Sequence, residues 1–220
     1  AAFDQACRGF SELPLSHCSD QVAQFSRCVG AIDGSFIKIM RPLAYTLDAG
    51  TEHNCYKKFY AIQLLAVCTA DLVFTYAHAG TPGSRADQHI LKQTDLYARI
   101  NWYIPPDSGA FLLGDAGFQL YVWLITPFLA LAYRTLNSVR KRLLEVFDSA
   151  QKSDRVKIEN AFGVLKGRWR CLRDGLRCHL PQSTDILMAC VVLHNICIMR
   201  DDVWAADKAG ETEYKDEDIG

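Results

Sequence analysis

The stretch "CVGAIDGSFIKIM", residues 28–40, decides how the rest of the chain is read. Val29, Ala31, Ile32, Phe36, Ile37 and Ile39 mark a buried β-strand. Asp33 sits in its middle, followed by Gly34 and Ser35. A carboxylate inside an apolar strand is costly unless it is paired or holds a metal. The plainer alternative is an Asx turn beside Gly34.

The surrounding chain has 220 residues, long enough for one large domain with a substantial core. Half of it is apolar and 22% is charged, the balance of a soluble globular protein. No run approaches the roughly 18 apolar residues of a membrane span. The opening "AAFDQACRGF" lacks the basic-then-apolar layout of a secretory signal. It also lacks an initiator Met, so the chain reads as a fragment or an incomplete gene product. Nine cysteines occur without a CxxC, mostly inside apolar stretches. They read as small buried hydrophobes in a reducing, intracellular compartment.

Net charge is only −1 but unevenly spread. Residues 152–177 carry eight bases against three acids, a stretch suited to a polyanion or to an ordinary charged helix face. Residues 201–220 carry eight acids against Lys208 and Lys215, and read as a solvated, disordered tail.

After the Asp33 strand, "FYAIQLLAVCTADLVFTYAHAG" predicts two strands joined near Ala70-Asp71. "TPGSRAD" is a loop, and Ile90, Leu91, Leu96, Tyr97 and Ile100 suit an amphipathic helix after it. "AFLLGDAGF" predicts a short strand ending at Asp115, and "VWLITPF" another. Helical spacing follows from Leu136 to about Phe147 and from about Ser153 to Trp169. "TDILMACVVLHNICIM", apolar all round, predicts a buried closing helix. This order predicts a mixed α/β sheet, a hairpin added to parallel strands, with helices on its faces.

Three acids stand out. Asp33 interrupts the first strand, Asp115 ends the fourth between Gly114 and Gly117, and Glu159 lies in "RVKIENAFGVLKGRW". Glu159 shares a helical face with Arg155, Phe162 and Lys166, so an inward orientation is expected. Three carboxylates can converge on Mg²⁺ or Mn²⁺, hard cations that prefer oxygen ligands. A cation pair roughly 4 Å apart can clamp both oxygens of a phosphodiester displacement. The plainer alternatives are an Asx turn at Asp115 and a surface Glu159–Arg155 pair.

In order, "GAIDGSFIKI", "GTPGSRADQHIL", "LLGDAGF" with "WLITPF", "RVKIENAFGVLKGRWRCL" and "VVLHNICI" resemble the blocks of the PIF/Harbinger transposase family, including its domesticated nucleases. The resemblance runs from about Phe3 to about Arg200. It implies a ribonuclease-H-like fold and a DDE triad of Asp33, Asp115 and Glu159 holding the divalent metal. Asp87 matches a further acid, expected beside the site or as the N-cap of the helix near Gln88. Phe36 stands where relatives often have His. The implied domains are a lead-in at 1–28, a remnant of a helical region, an endonuclease domain at 29–200 and the acidic tail at 201–220. The implied partners are DNA, a Myb-like DNA-binding protein and a second copy of the chain, with no membrane, in the nucleus. Lys166, Arg168 and Arg170 are the expected phosphate contacts, joined by Lys57 and Lys58 in an aromatic-basic run.

Cys190, His194 and Cys197 share a helical face, but their spacing matches no common zinc motif. "GTPGS" lacks the Gly-Lys-Ser/Thr of a P-loop, and neither HExxH nor Gly-x-Ser-x-Gly occurs.

Overall fold

A computed structural model describes residues 25, 27–42, 51–129, 133, 134 and 136–202. The expected lead-in falls almost wholly outside the described residues, as does the acidic tail beyond residue 202.

Five strands form one mixed sheet, ordered β3-β2-β1-β4-β5. They are β1 (Cys28–Lys38), β2 (Ala61–Cys68), β3 (Phe74–Pro82), β4 (Phe111–Leu113) and β5 (Leu124–Ile125). Every residue of β2 is buried, as an apolar strand covered on both faces should be. A tight turn joins β2 to β3: Thr69 N donates to Val73 O at 2.9 Å, and Leu72 adopts φ 63°. So short a link fits only an antiparallel hairpin. The β1–β4 and β4–β5 pairs are parallel. The helices are α1 (Asp87–Gln93), α2 (Asp95–Ala98), α3 (Ile100–Tyr103), α4 (Ser138–Arg168), α5 (Arg170–Asp174) and α6 (Leu180–Met199). This is the α/β architecture expected, a ribonuclease-H-like sheet flanked by helices.

By chain contacts the protein separates into two compact units. One holds residues up to 34, 65–78 and 85–158; the other holds 35–64, 79–84 and 159 onward.

In the first unit, one core gathers Ile32, Leu65, Val67, Ile90, Leu91, Leu96, Leu112, Phe118 and Leu124. A smaller core joins Phe25, Cys28 and Leu113 to Phe147 and Ala150 of α4. A register shift between Cys28 and Gly30 reconciles the two, since Cys28 and Ile32 share strand parity yet enter different cores. From Ile32 onward, strict alternation turns Asp33 toward the side of Ala31 and Leu113.

Helix α4 runs unbroken for 31 residues, where the sequence reading had two helices. Asp148 and Gln151, polar signals at the expected break, are used in the fold instead. Asp148 accepts from Phe128 N at 3.0 Å and from the Tyr133 hydroxyl. Gln151 Nε2 donates to Gly114 O at 2.6 Å. No Gly or Pro lies between residues 148 and 152 to end the helix.

In the second unit, Phe36 meets Tyr56 and Phe59 edge-on, with ring centroids 5.5 and 6.5 Å apart. Ile39 bridges Leu176 in parallel fashion. Helix α6 departs from the expected buried helix. Ser183, Leu187, Cys190, Val191 and His194 are buried, but Ile186, Val192, Leu193, Ile196 and Met199 are exposed. Its most apolar window has mean hydropathy 1.4, enough by length and composition to cross a membrane, and 28% of it is buried. The sequence reading found no such stretch, because Asp185, His194 and Asn195 interrupt the apolar run.

Candidate active site

The first unit gathers acids around the turn of Gly34. Asp33 Oδ1 accepts the Gly34 N–H at 2.8 Å, and Arg155 Nη1 of α4 stands 3.2 Å from Asp33 Oδ2. Both side chains are mostly buried, 17% and 16% exposed. Burial pushes the Asp33 carboxyl up to about 7; the Gly34 N–H and Arg155 oppose this, while Asp115 and Asp87 add to it.

Asp87 lies against the same glycine. A Cβ on Gly34 would fall 2.1 Å from Asp87 Oδ1, so only glycine lets the carboxylate approach the backbone. The N-cap of α1 is Ala86, with no side-chain cap bond. Asp87 is therefore the first helical residue and not the cap, a correction to the alternative weighed from sequence. Burial, reinforced by Asp115, lifts Asp87 to about 6.

Asp115 lies two residues past β4, where ligands of open α/β sheets gather. Its Oδ1 accepts the Gly117 N–H at 2.9 Å. The Asx turn is present, and the same carboxylate acts electrostatically on Asp33 and Asp87.

Glu159 is exposed, contrary to the inward orientation expected from Phe162. Ile158, Ala161, Phe162 and Leu165 set the buried face of α4. At about 100° per residue, Glu159 lies a quarter-turn from Ile158 and leaves that face. Among the described residues no group of three or more His, Cys, Asp or Glu is arranged to hold a metal ion. The acids that do come together, Asp33, Asp87 and Asp115, are an all-oxygen donor set. They fit a hard divalent cation in kind, although one Asp33 oxygen faces Arg155.

Two residues escaped the sequence reading. Arg155, considered from sequence beside Glu159, pairs with Asp33. Asp154 is only 2% exposed, and burial lifts it to about 6 against the opposing pull of Lys157. Its position four residues before Ile158 was the available signal.

Among the expected DNA contacts, Lys58 and Arg170 are exposed and Lys166 is half-buried. Lys57 Nζ lies 5.7 Å from the centre of the Tyr56 ring. Arg168 is engaged within the chain. It pairs with Asp202 at 2.7 Å, rests 5.7 Å from the centre of the Trp169 ring, and is only 13% exposed.

The five-stranded mixed sheet flanked by helices is the architecture of a ribonuclease-H-like domain. Residues 32–195 match the family described as DDE superfamily endonuclease, and the chain belongs to that family. It is 29% identical over 193 residues to the protein named "Putative nuclease HARBI1" of Rattus norvegicus, covering 86% of this chain and 51% of that protein. The protein of the same name in Homo sapiens is 28% identical, with 86% and 52% covered. "Protein ALP1-like" of Arabidopsis thaliana is 29% identical, with 83% and 46% covered. The chain spans about half the length of these relatives. No solved structure matches it significantly.

Proposed function

We propose that this chain is the cutting domain of a transposase-derived nuclease that hydrolyses DNA phosphodiester bonds with divalent cations. Family membership and the relatives' printed names support the nuclease class. The observation that carries the reading is Asp33: a carboxylate mostly buried beside Asp87 and Asp115, its pKa lifted to about 7. A cation bound among acids crowded in this way would take the place of the protons they otherwise hold.

Asp33 and Asp115 would hold Mg²⁺ or Mn²⁺, with Asp87 beside them. The cation would supply charge to activate a water and to stabilise the leaving oxygen. Glu159 enters as the third acid on the strength of its motif, not of its geometry. Arg155 orients Asp33 through its guanidinium. Lys57, Lys58, Lys166 and Arg170 would meet the phosphate backbone, and the place of action would be the nucleus.

The test is plasmid nicking with Mn²⁺. The wild-type chain is expected to cut, whereas Asp33→Asn, Asp115→Asn and Glu159→Gln each abolish cutting and keep the fold. Wild-type rates in any of the three would remove that residue from the site.

A second reading is a silent, domesticated nuclear protein that binds a Myb-like partner. The exposure of Glu159 and the Arg155–Asp33 pair favour it. A wild-type chain that never nicks, yet is retained by immobilised Myb-like domain, would select it.

A further inference from the structure

The exposed side of α6 carries a pattern that neither the fold nor the proposed site uses. Ile186, Ala189, Leu193 and Ile196 recur at spacings of three and four, with Val192 and Met199 beside them. That is the seam of a helix made to pack against another helix. Val192 is 56% exposed, Leu193 46% and Met199 67%, in a helix that buries Leu187, Cys190, Val191 and His194 on another side. Exposed apolar stripes of this length mark interaction surfaces.

The order of residues along the stripe says which partner it fits. Placed antiparallel about a two-fold axis between Val192 and Leu193, the seam matches itself. Val192 then meets Leu193 of a second copy, Ala189 meets Ile196, and Ile186 meets Met199. One step further out, Asp185 meets Arg200, and both are exposed. Because the operation is two-fold, each charge pair forms twice, once at either end. A heterologous partner would need neither the apolar matching nor opposite charges at equal distances from the centre. A membrane would disfavour Asp185 within the buried length.

We infer that α6 is a homodimerisation helix, packing antiparallel on α6 of a second copy with Val192 and Leu193 at the centre and Asp185–Arg200 pairs at the ends.

The experiment is sedimentation velocity of the 220-residue chain from 1 to 100 μM, with circular dichroism as the check on folding. A dimer is expected within that range. Leu193→Glu places two like charges at the two-fold axis and is expected to leave only monomer. Asp185→Arg and Arg200→Asp each convert two attractions into repulsions and should weaken the dimer about tenfold. The double variant Asp185→Arg/Arg200→Asp restores both pairs and should recover most of the affinity. A wild-type monomer at 100 μM overturns the inference, as does a dimer indifferent to Leu193→Glu. Failure of the double variant to recover overturns the antiparallel register. Flotation of the wild-type chain with neutral phosphatidylcholine vesicles, abolished by Leu193→Glu, would assign the face to a membrane instead.

Discussion

If Asp33 is a buried acid held for a cation, neutralising it should make the metal-free protein more stable while destroying its activity. The ordinary aspartate value is 3.8, and burial lifts Asp33 to about 7. Between those values the folded chain keeps a proton that the unfolded chain has lost. Unfolding free energy therefore falls as pH rises from about 4 to about 7, then levels. At about 1.4 kcal/mol per decade, ionising Asp33 in the folded state costs about 4 kcal/mol. Asparagine keeps an acceptor for the Gly34 N–H but turns a weaker dipole toward Arg155, so part of that gain is lost. Asp33→Asn should then be about 2 to 3 kcal/mol more stable than wild type at pH 8, and nearly equal to it at pH 4. Urea unfolding in EDTA, followed by tryptophan fluorescence at both pH values, measures the difference. A variant less stable than wild type at pH 8, or a margin that does not change with pH, would refute the reasoning.

Arg155→Leu removes the guanidinium from Asp33 Oδ2 and should destabilise the protein by about 2 kcal/mol at pH 8. At pH 5 the loss should shrink, because Asp33 is protonated; the same urea titration reads it. Gly34→Ala drives a methyl into the Asp87 carboxylate and should cost about 1 to 3 kcal/mol, a penalty reduced in an Asp87→Ala background. Arg170→Ala should lower the slope of log affinity for duplex DNA against log salt by about one, whereas Arg168→Ala, already committed to Asp202, should leave it unchanged.

The element order was legible because each strand advertised itself by composition. The buried run of β2 and the alternation of β1 needed no partner to be seen. The continuity of α4 was not legible. Asp148 and Gln151 look like helix-ending residues until Phe128, Tyr133 and Gly114 are known to receive their side chains. The two-unit division was hidden for a similar reason. Its limits fall inside β1, β2, β3 and α4 and in the loop after β3, and those in β1 and α4, between Gly34 and Ser35 and between Ile158 and Glu159, carry no change of local pattern. At the site, the motifs singled out Asp33 and Asp115, but the Arg155–Asp33 pair joins residues 122 positions apart. No local periodicity encodes a contact of that range. The exposure of Glu159 is not legible because one buried neighbour, Phe162, does not orient the whole face.

The acids around Gly34 share one electrostatic neighbourhood. Asp33, Asp87 and Asp115 act on one another, with Arg155 the principal cation opposing Asp33. One guanidinium against three carboxylates leaves about two negative charges in excess when all are ionised. Burial lifts Asp33 and Asp87 first, and the neighbouring carboxylates add to it. A purely structural ion pair would need only Asp33 and Arg155, and Gly34 could then carry a side chain. Instead Gly34 is kept bare so that Asp87 can approach, which raises the electrostatic cost of the fold. On the proposed reading, a divalent cation is the species whose charge would balance that cost.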